Sequence, residues 1–170
     1  MDRSGFIAKP VIEAHTRPGL APSKISEPLV WLGRMLLPVY LRFVLSFRSI
    51  DVWDPADIVE AIKDFQDKKT RLIVAFRHPY GDEPQLVFHV FENMIPRYAK
   101  KLGIPLSRRP RLRIIHDYAV PLWGGAFIRF LLPRAGAMPV FHTKFEPASL
   151  KTIRHSLRDG DSPIGIAPEG

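Results

Sequence analysis

Residues 71–84 read Arg71-Leu-Ile-Val-Ala-Phe-Arg-His78-Pro-Tyr-Gly-Asp82-Glu83-Pro84, an apolar run that stops at a histidine and is soon followed by two carboxylates. The continuous run from Leu72 to Phe76 predicts a strand that is buried on both faces. The turn formers after it place His78 at the end of that strand, where functional residues concentrate. The stretch therefore predicts one strand of an α/β sheet with a titratable group at its carboxyl end.

A carboxylate close behind His78 can orient the imidazole ring. Asp82 or Glu83 begins the next element, with Pro84 suited to the first helical position, so a tight turn can bring either carboxylate back onto the ring. Such a contact fixes the tautomer and raises the basicity of the other ring nitrogen, as a general base requires. On this spacing alone, a structural or helix-capping role is equally open.

The rest of the chain alternates between strand-like and helix-like segments. This alternation predicts an α/β fold, a mixed sheet with helices on its faces. Because strand ends share an edge in such a sheet, we expect His78, Asp117, His142 and Glu169 to converge. The further strands are predicted at 111–116, 137–141 and 162–167, and the helices at 54–69, at 84–94 with an interruption at Pro96, at 123–133 and at 147–158.

Two further sequence blocks follow the stretch at residues 71–84. One is Gly124-Gly-Ala-Phe-Ile-Arg-Phe-Leu-Leu-Pro-Arg134, continuing to His142, and the other is Ile164-Gly-Ile-Ala-Pro-Glu169-Gly170. In this order the blocks resemble the glycerolipid acyltransferases of the lysophosphatidic acid acyltransferase family, over residues 71–170. That family is known by a histidine with an acid five residues on, a Gly-x-x-Phe-Ile-Asp-Arg-like block and a Pro-Glu-Gly-Thr block. The chain ends before that threonine, so we expect a domain that is incomplete at its C-terminus.

The resemblance implies transfer of a fatty acyl group from acyl-CoA or acyl carrier protein to the hydroxyl of a lysophosphatidic acid-like glycerol phosphate. His78 is then the general base, and its partner is Glu83, which has the family spacing, or Asp82, which has the usual residue type. No metal ion is expected, and no cofactor besides the acyl donor. The residues implied for the acceptor site are Arg129, Arg134, His142, which stands at the position of the family's arginine, Lys144, Glu169 and Gly170.

Composition limits the chemistry and the partners. The chain has no cysteine and no Gly-x-Ser-x-Gly motif, so direct attack by the acceptor is simpler than a covalent acyl-enzyme. A net charge of +8 predicts an anionic partner, whether a lipid headgroup, a donor phosphate or nucleic acid. Seven bases lie within residues 97–113, and they indicate either a solvated face or a contact with anionic lipid. Nucleic acid is not expected, because Tyr98 is the single aromatic residue among these bases and no recognisable binding motif is present.

The N-terminal part of the chain divides into two segments. Residues 1–28 are rich in proline and predict a flexible arm, while residues 29–50 predict a helix at a membrane interface, ahead of a partial acyltransferase domain at 51–170. Arg34, Arg42 and Pro38 disfavour a full span, so the two arginines are expected at headgroup level. The expected location is the cytoplasmic face of a membrane. The alternative is a helix that packs on the protein's own core.

Two rival functions remain open from the sequence. His78, Asp82 and Glu83 have the ligand types of a divalent-metal hydrolase, with His116, Asp117 or His142 to complete the coordination. A noncatalytic basic module that binds a membrane or nucleic acid would also explain the charge.

Overall fold

A computed structural model describes residues 23–77, 81–140 and 147–168, and all statements about structure refer to these residues. It contains seven α-helices and four strands. The helices are α1 (Glu27–Phe43), α2 (Pro55–Gln66), α3 (Glu83–His89), α4 (Ile95–Leu102), α5 (Val120–Trp123), α6 (Gly125–Ala135) and α7 (Pro147–Asp159). The strands are β1 (Ile73–Ala75), β2 (Arg113–Asp117), β3 (Met138–Val140) and β4 (Ile164–Ile166).

The strands form one parallel sheet in the order β1-β4-β2-β3. Ala75 pairs with Ile166, Arg113 with Ile164, and Asp117 with Val140. The α/β class is confirmed, but the prediction of a mixed sheet is wrong for the described strands. The physical reason lies in the connections, each of which contains helix and returns the chain to the same end of the sheet.

The strand β1 lies at the edge of the described sheet, because β4 is inserted between β1 and β2. Ile73 is 51% exposed, while Val74 packs partly against the core. The prediction that this strand is buried on both faces is therefore wrong. A continuous apolar run cannot distinguish a central strand from an edge strand by itself.

The main core lies between α2, α4 and the sheet. Val59 and Ile62 of α2 pack with Ile95 of α4 and with Phe91, and all four side chains are buried. Pro55 is the first helical residue of α2, and Asp54 before it makes no side-chain cap. The close approach of Leu112 to β4 explains the glycine at the centre of that strand, since a β-carbon on Gly165 would lie 2.7 Å from Leu112 Cδ2.

Pro96 does not end its helix, contrary to the prediction. A π-helical turn at Val90–Met94 joins α3 to α4, and Pro96 is in the first turn of α4. A proline cannot donate to the carbonyl four residues earlier, here that of Glu92. Arg109 Nη1 donates to this carbonyl at 2.8 Å instead. The long side chain thus lets the helical path continue past the proline.

Helix α1 ends at Phe43, earlier than the segment 29–50 that the sequence indicates. It also contains a proline, Pro38, which leaves the carbonyl of Arg34 without its helical donor. The side-chain amide of Asn93 donates to that carbonyl at 3.2 Å. Of the helices in the described ranges, none has the length and apolarity needed to cross a membrane.

Candidate functional site

The carboxyl ends of the strands lie at one edge of the sheet, because every ladder is parallel. The pairing continues slightly beyond the strands, where the N–H of Phe76 donates to Ile166 at 3.0 Å and that of Tyr118 donates to Val140 at 2.9 Å. Asp117 lies at this edge. Five of the residues expected there or in the acceptor site fall outside the described residues, namely His78, His142, Lys144, Glu169 and Gly170.

Glu83 is the candidate site residue whose contacts are clearest. It is the first residue of α3, and its Oε2 accepts a hydrogen bond from the N–H of Gly81 at 2.9 Å. Gly81 has a φ of 87°, in the left-handed region that glycine adopts without strain. The carboxylate of Glu83 is therefore turned back towards the main chain of Gly81, just before α3 begins.

Asp82 precedes Glu83 at the N-cap position of α3. Its backbone φ of −93° and ψ of −10° are already helical, and its side chain makes no capping hydrogen bond. A capping residue ordinarily has an extended conformation that lets its side chain reach the free N–H groups of the first turn. The capping alternative is thus not supported for Asp82, whereas the carboxylate of Glu83 accepts from the N–H of Gly81.

A second titratable pair lies at the end of β2. His116 Nδ1 is 2.8 Å from the main-chain oxygen of Asp117, and since a carbonyl only accepts, this nitrogen carries the hydrogen. Burial lowers the pKa of His116, and the hydrogen bond and nearby charge of Asp117 oppose that effect. Asp117 Oδ1 accepts from the N–H of Ala119 at 2.6 Å, which stabilises the turn that enters α5.

The two described arginines of the proposed acceptor site both lie on α6. Arg129 is exposed, whereas Arg134 lies over the ring of Phe130, with its guanidinium carbon 3.9 Å from the ring centroid. Arg134 Nη1 also donates to the carbonyl of Phe130 at 2.9 Å. Arg134 is in the last turn of α6, just before β3 begins, and therefore lies towards the amino end of the sheet. The structure does not bring it together with Glu83.

A buried polar cluster connects α1 to the domain, and the sequence analysis did not identify it. Glu92 is 1% exposed, and its Oε1 accepts from Arg111 Nε at 2.9 Å. Arg111 also forms a bidentate ion pair with Glu27 of α1, and this pair lowers the pKa of the Glu27 carboxyl. Arg34 approaches Glu92 Oε2 at 3.9 Å from another turn of α1. The expectation that Arg34 stays at headgroup level is wrong, because its side chain faces this buried acid.

Internal contacts also involve much of the basic segment at 97–113. Besides the contacts of Arg109 and Arg111, Arg108 donates to the carbonyl of Asp161 at 2.8 Å, and Arg113 is half-buried, which lowers its pKa. Lys100 and Lys101 remain on the exposed surface of α4. The segment is therefore largely a structural element rather than a uniform solvated face.

The side of α1 opposite Arg34 is apolar and exposed. Its side chains recur at helical spacing, and each has two fifths or more of its surface in solvent: Trp31, Leu32, Met35, Leu36, Val39, Tyr40 and Phe43. We call these residues the α1 apolar face. A soluble domain rarely leaves so many large apolar side chains together in water, and such a surface indicates a membrane or a partner.

The described parts of the chain contain no group of three or more histidine, aspartate or glutamate side chains able to hold a metal ion. No family model, curated protein or solved structure matches the chain.

Proposed function

We propose that this chain is the catalytic part of an O-acyltransferase. It would move a fatty acyl group from acyl-CoA or acyl carrier protein to the hydroxyl of a lysophosphatidic acid-like acceptor. The observation that carries the proposal is the contact of Glu83 with the N–H of Gly81, which turns the carboxylate back towards the main chain three residues after His78 in the sequence. This connection leaves the carboxyl edge of a parallel sheet, where α/β proteins place their ligands.

In the proposed mechanism His78 removes the proton of the acceptor hydroxyl, and Glu83 orients the imidazole. The resulting oxygen nucleophile attacks the thioester carbonyl carbon and forms a carbon–oxygen bond. The carbon–sulfur bond then breaks, and the thiol leaves with the proton that His78 had taken. No covalent acyl-enzyme is needed, in keeping with a chain that has no cysteine.

The acceptor would be held by the residues that follow β3 and β4. His142 and Lys144 carry the proposed phosphate contact, assisted by Arg129 from the exposed surface of α6. Glu169 would repel a phosphate, so we assign it to a hydroxyl of the acceptor or to the positioning of a base, with Gly170 beside it. Arg134 is not part of this set, since it lies towards the opposite end of the sheet.

We further propose that the protein works at an anionic membrane surface, the cytoplasmic face, where its lipid acceptor lies. The α1 apolar face supports this, because an interfacial helix buries such side chains at the level of the headgroups and upper acyl chains. Arg42 is exposed near the end of the same helix and can contact lipid phosphate. The contacts of Arg34 and Glu27 with the domain would hold α1 in place while its outer face meets lipid.

The test is acyl transfer by the purified chain. Release of free CoA is followed with a thiol reagent, which reacts with no group of a protein that lacks cysteine. We expect His78→Ala to reduce the rate by about 10² to 10⁴ with the circular dichroism spectrum unchanged. His155→Ala, on the exposed surface of α7, is the matched control and should retain the rate. Normal turnover by His78→Ala, or no transfer by the unaltered chain from a series of acyl-CoA donors, would reject the proposal.

A further inference from the structure

Helix α6 presents aromatic and basic side chains to solvent. Phe127 is 70% exposed and Phe130 is 49% exposed. The charged residues of this helix are both basic, Arg129 and Arg134. The guanidinium of Arg134 covers one side of the Phe130 ring. An apolar ring below a base is the arrangement that long basic side chains adopt at a water–membrane boundary, with the stem in the apolar layer and the charge at the headgroups.

Helix α6 is attached to the start of α1. The N–H of Ser26 donates to the carbonyl of Arg134 at 2.8 Å, across the two helix ends. Gly136 follows α6 with a φ of 88°, and a β-carbon there would lie 2.8 Å from Cγ1 of Ile25. The two helices also pack against each other. Because main-chain and side-chain contacts both join them, their exposed surfaces belong to one structural unit.

We propose that α6 is a second lipid-contacting helix, and that Phe127 and Phe130 extend the α1 apolar face into one surface that binds an anionic bilayer. This inference rests on the proposed function, in which α1 lies at a membrane. In this proposal the aromatic side chains of α6 reach the upper acyl chains of the bilayer, and Arg134 lies at the level of the headgroups.

The distribution of charge selects the bilayer as the occupant. The acid of α1, Glu27, is paired with Arg111, while Arg42, Arg129 and Arg134 are the bases near the apolar side chains. A positive rim around apolar side chains complements anionic headgroups. A symmetric dimer through the same surface would bring these rims towards each other, and like charges across an interface oppose association.

Site-specific labels test the proposal on the whole chain. Because the protein has no cysteine, Phe127→Cys, Leu36→Cys and Leu102→Cys each give one labelling position, on α6, α1 and α4. Each variant receives an environment-sensitive fluorophore and is mixed with phosphatidylcholine vesicles that contain graded phosphatidylglycerol and nitroxide-labelled lipid. We expect blue-shifted and quenched emission at positions 127 and 36, increasing with anionic lipid. The label at position 102 should remain in water.

Binding measurements give an independent result. Phe127→Ser combined with Phe130→Ser should lower the vesicle partition coefficient by roughly tenfold. The matched pair Leu102→Ser and Leu150→Ser, at exposed apolar positions of α4 and α7, should keep it within about twofold. Thermal unfolding of both double variants checks that each is folded.

Three outcomes would overturn the proposal. The first is a label at position 127 that stays in water while the label at position 36 enters the lipid. The second is unchanged partitioning of the α6 double variant. The third is burial of both labels without vesicles, together with the mass of a dimer. Transfer to a short-chain acceptor in free solution tests the proposed function separately, because it needs the catalytic residues and no bilayer.

Discussion

The side-chain amide of Asn93 donates to the main-chain carbonyl of Arg34, the carbonyl that Pro38 leaves without a donor inside α1. The second hydrogen of the same amide points to His89 Nδ1, 3.0 Å away. Since a carbonyl can only accept, the contact with Arg34 fixes the orientation of the amide, and His89 must accept through Nδ1. One side chain in the π-helical turn therefore joins α1 to α3.

The first prediction concerns this bond. Asn93→Ala should lower the free energy of unfolding by about 1 to 3 kcal/mol, because a part-buried carbonyl loses its donor. In a Pro38→Ala background the cost should be smaller, since residue 38 regains an N–H that can bond to Arg34 within the helix. Urea unfolding of the two single variants and the double variant measures the coupling. An equal cost in both backgrounds would contradict this account of the bond.

The second prediction concerns the buried acid. Glu92→Ala should cost about 3 to 5 kcal/mol of unfolding free energy, because it removes the buried partner of Arg111 and leaves Arg34 without its acid. The matched comparison is Asp67→Asn, which breaks an exposed pair with Lys63 and should lower the unfolding free energy far less. Chemical denaturation gives both values. Similar small losses would show that Glu92 does not hold α1 to the domain.

The third prediction concerns pH. Burial, and secondarily the charge of Arg97, lowers the pKa of His89, so the fold favours its neutral form. Its contribution to stability is then present above the ordinary histidine pKa and is lost as the pH falls through the lowered pKa of the folded state. We expect the unfolding free energy to decrease from pH 7.5 to pH 5.5, conditions chosen to bracket an ordinary pKa of about 6.5. His89→Gln keeps an acceptor for Asn93 and should reduce this slope.

His116 has a lowered pKa as well and contributes with the same sign. Because His116 is present in both the unaltered protein and the His89→Gln variant, the difference between their pH slopes of unfolding free energy comes from His89. A slope unchanged by His89→Gln would mean that the protonation of His89 does not affect folding.

The fourth prediction separates the two candidate acids. Glu83→Gln retains an oxygen that can accept from Gly81 but loses the charge, so acyl transfer should fall by roughly tenfold to a hundredfold while the fold is kept. Asp82→Asn should change the rate by about twofold or less, because this side chain makes no capping hydrogen bond to the start of α3. Steady-state kinetics with acyl-CoA decides between them. A larger effect at Asp82 would reverse the assignment.

The approximate positions of the strands could be predicted from the sequence, because each contains a few apolar residues close to turn formers. Their pairing could not. The insertion of β4 between β1 and β2 depends on how the helices cover the sheet, and no local pattern encodes that choice. The same limit explains the wrong expectation for Ile73, whose exposure follows from the edge position of its strand.

The sequence predicted a helix start at the acids after β1, and Glu83 is the first residue of α3, with its Oε2 bonded to the N–H of Gly81. Glu92 was missed, since a single acid in a helix ordinarily indicates a solvated face. A signal was present in the prolines: Pro38 and Pro96 each leave a carbonyl four residues earlier that needs a donor from elsewhere. Asn93 and Arg109 supply those donors.

The place of β4 between β1 and β2 has a consequence for biosynthesis. The ribosome delivers β1 long before Ile164–Ile166, yet among the described strands β4 is the one that pairs with β1. The turn that carries the proposed catalytic pair therefore acquires its place beside the other strand ends only after residues 164–166 have emerged. Until then β1 has an unpaired strand edge, the kind of surface that promotes aggregation and chaperone binding. The candidate site therefore depends on pairing with a strand that is synthesised long after β1.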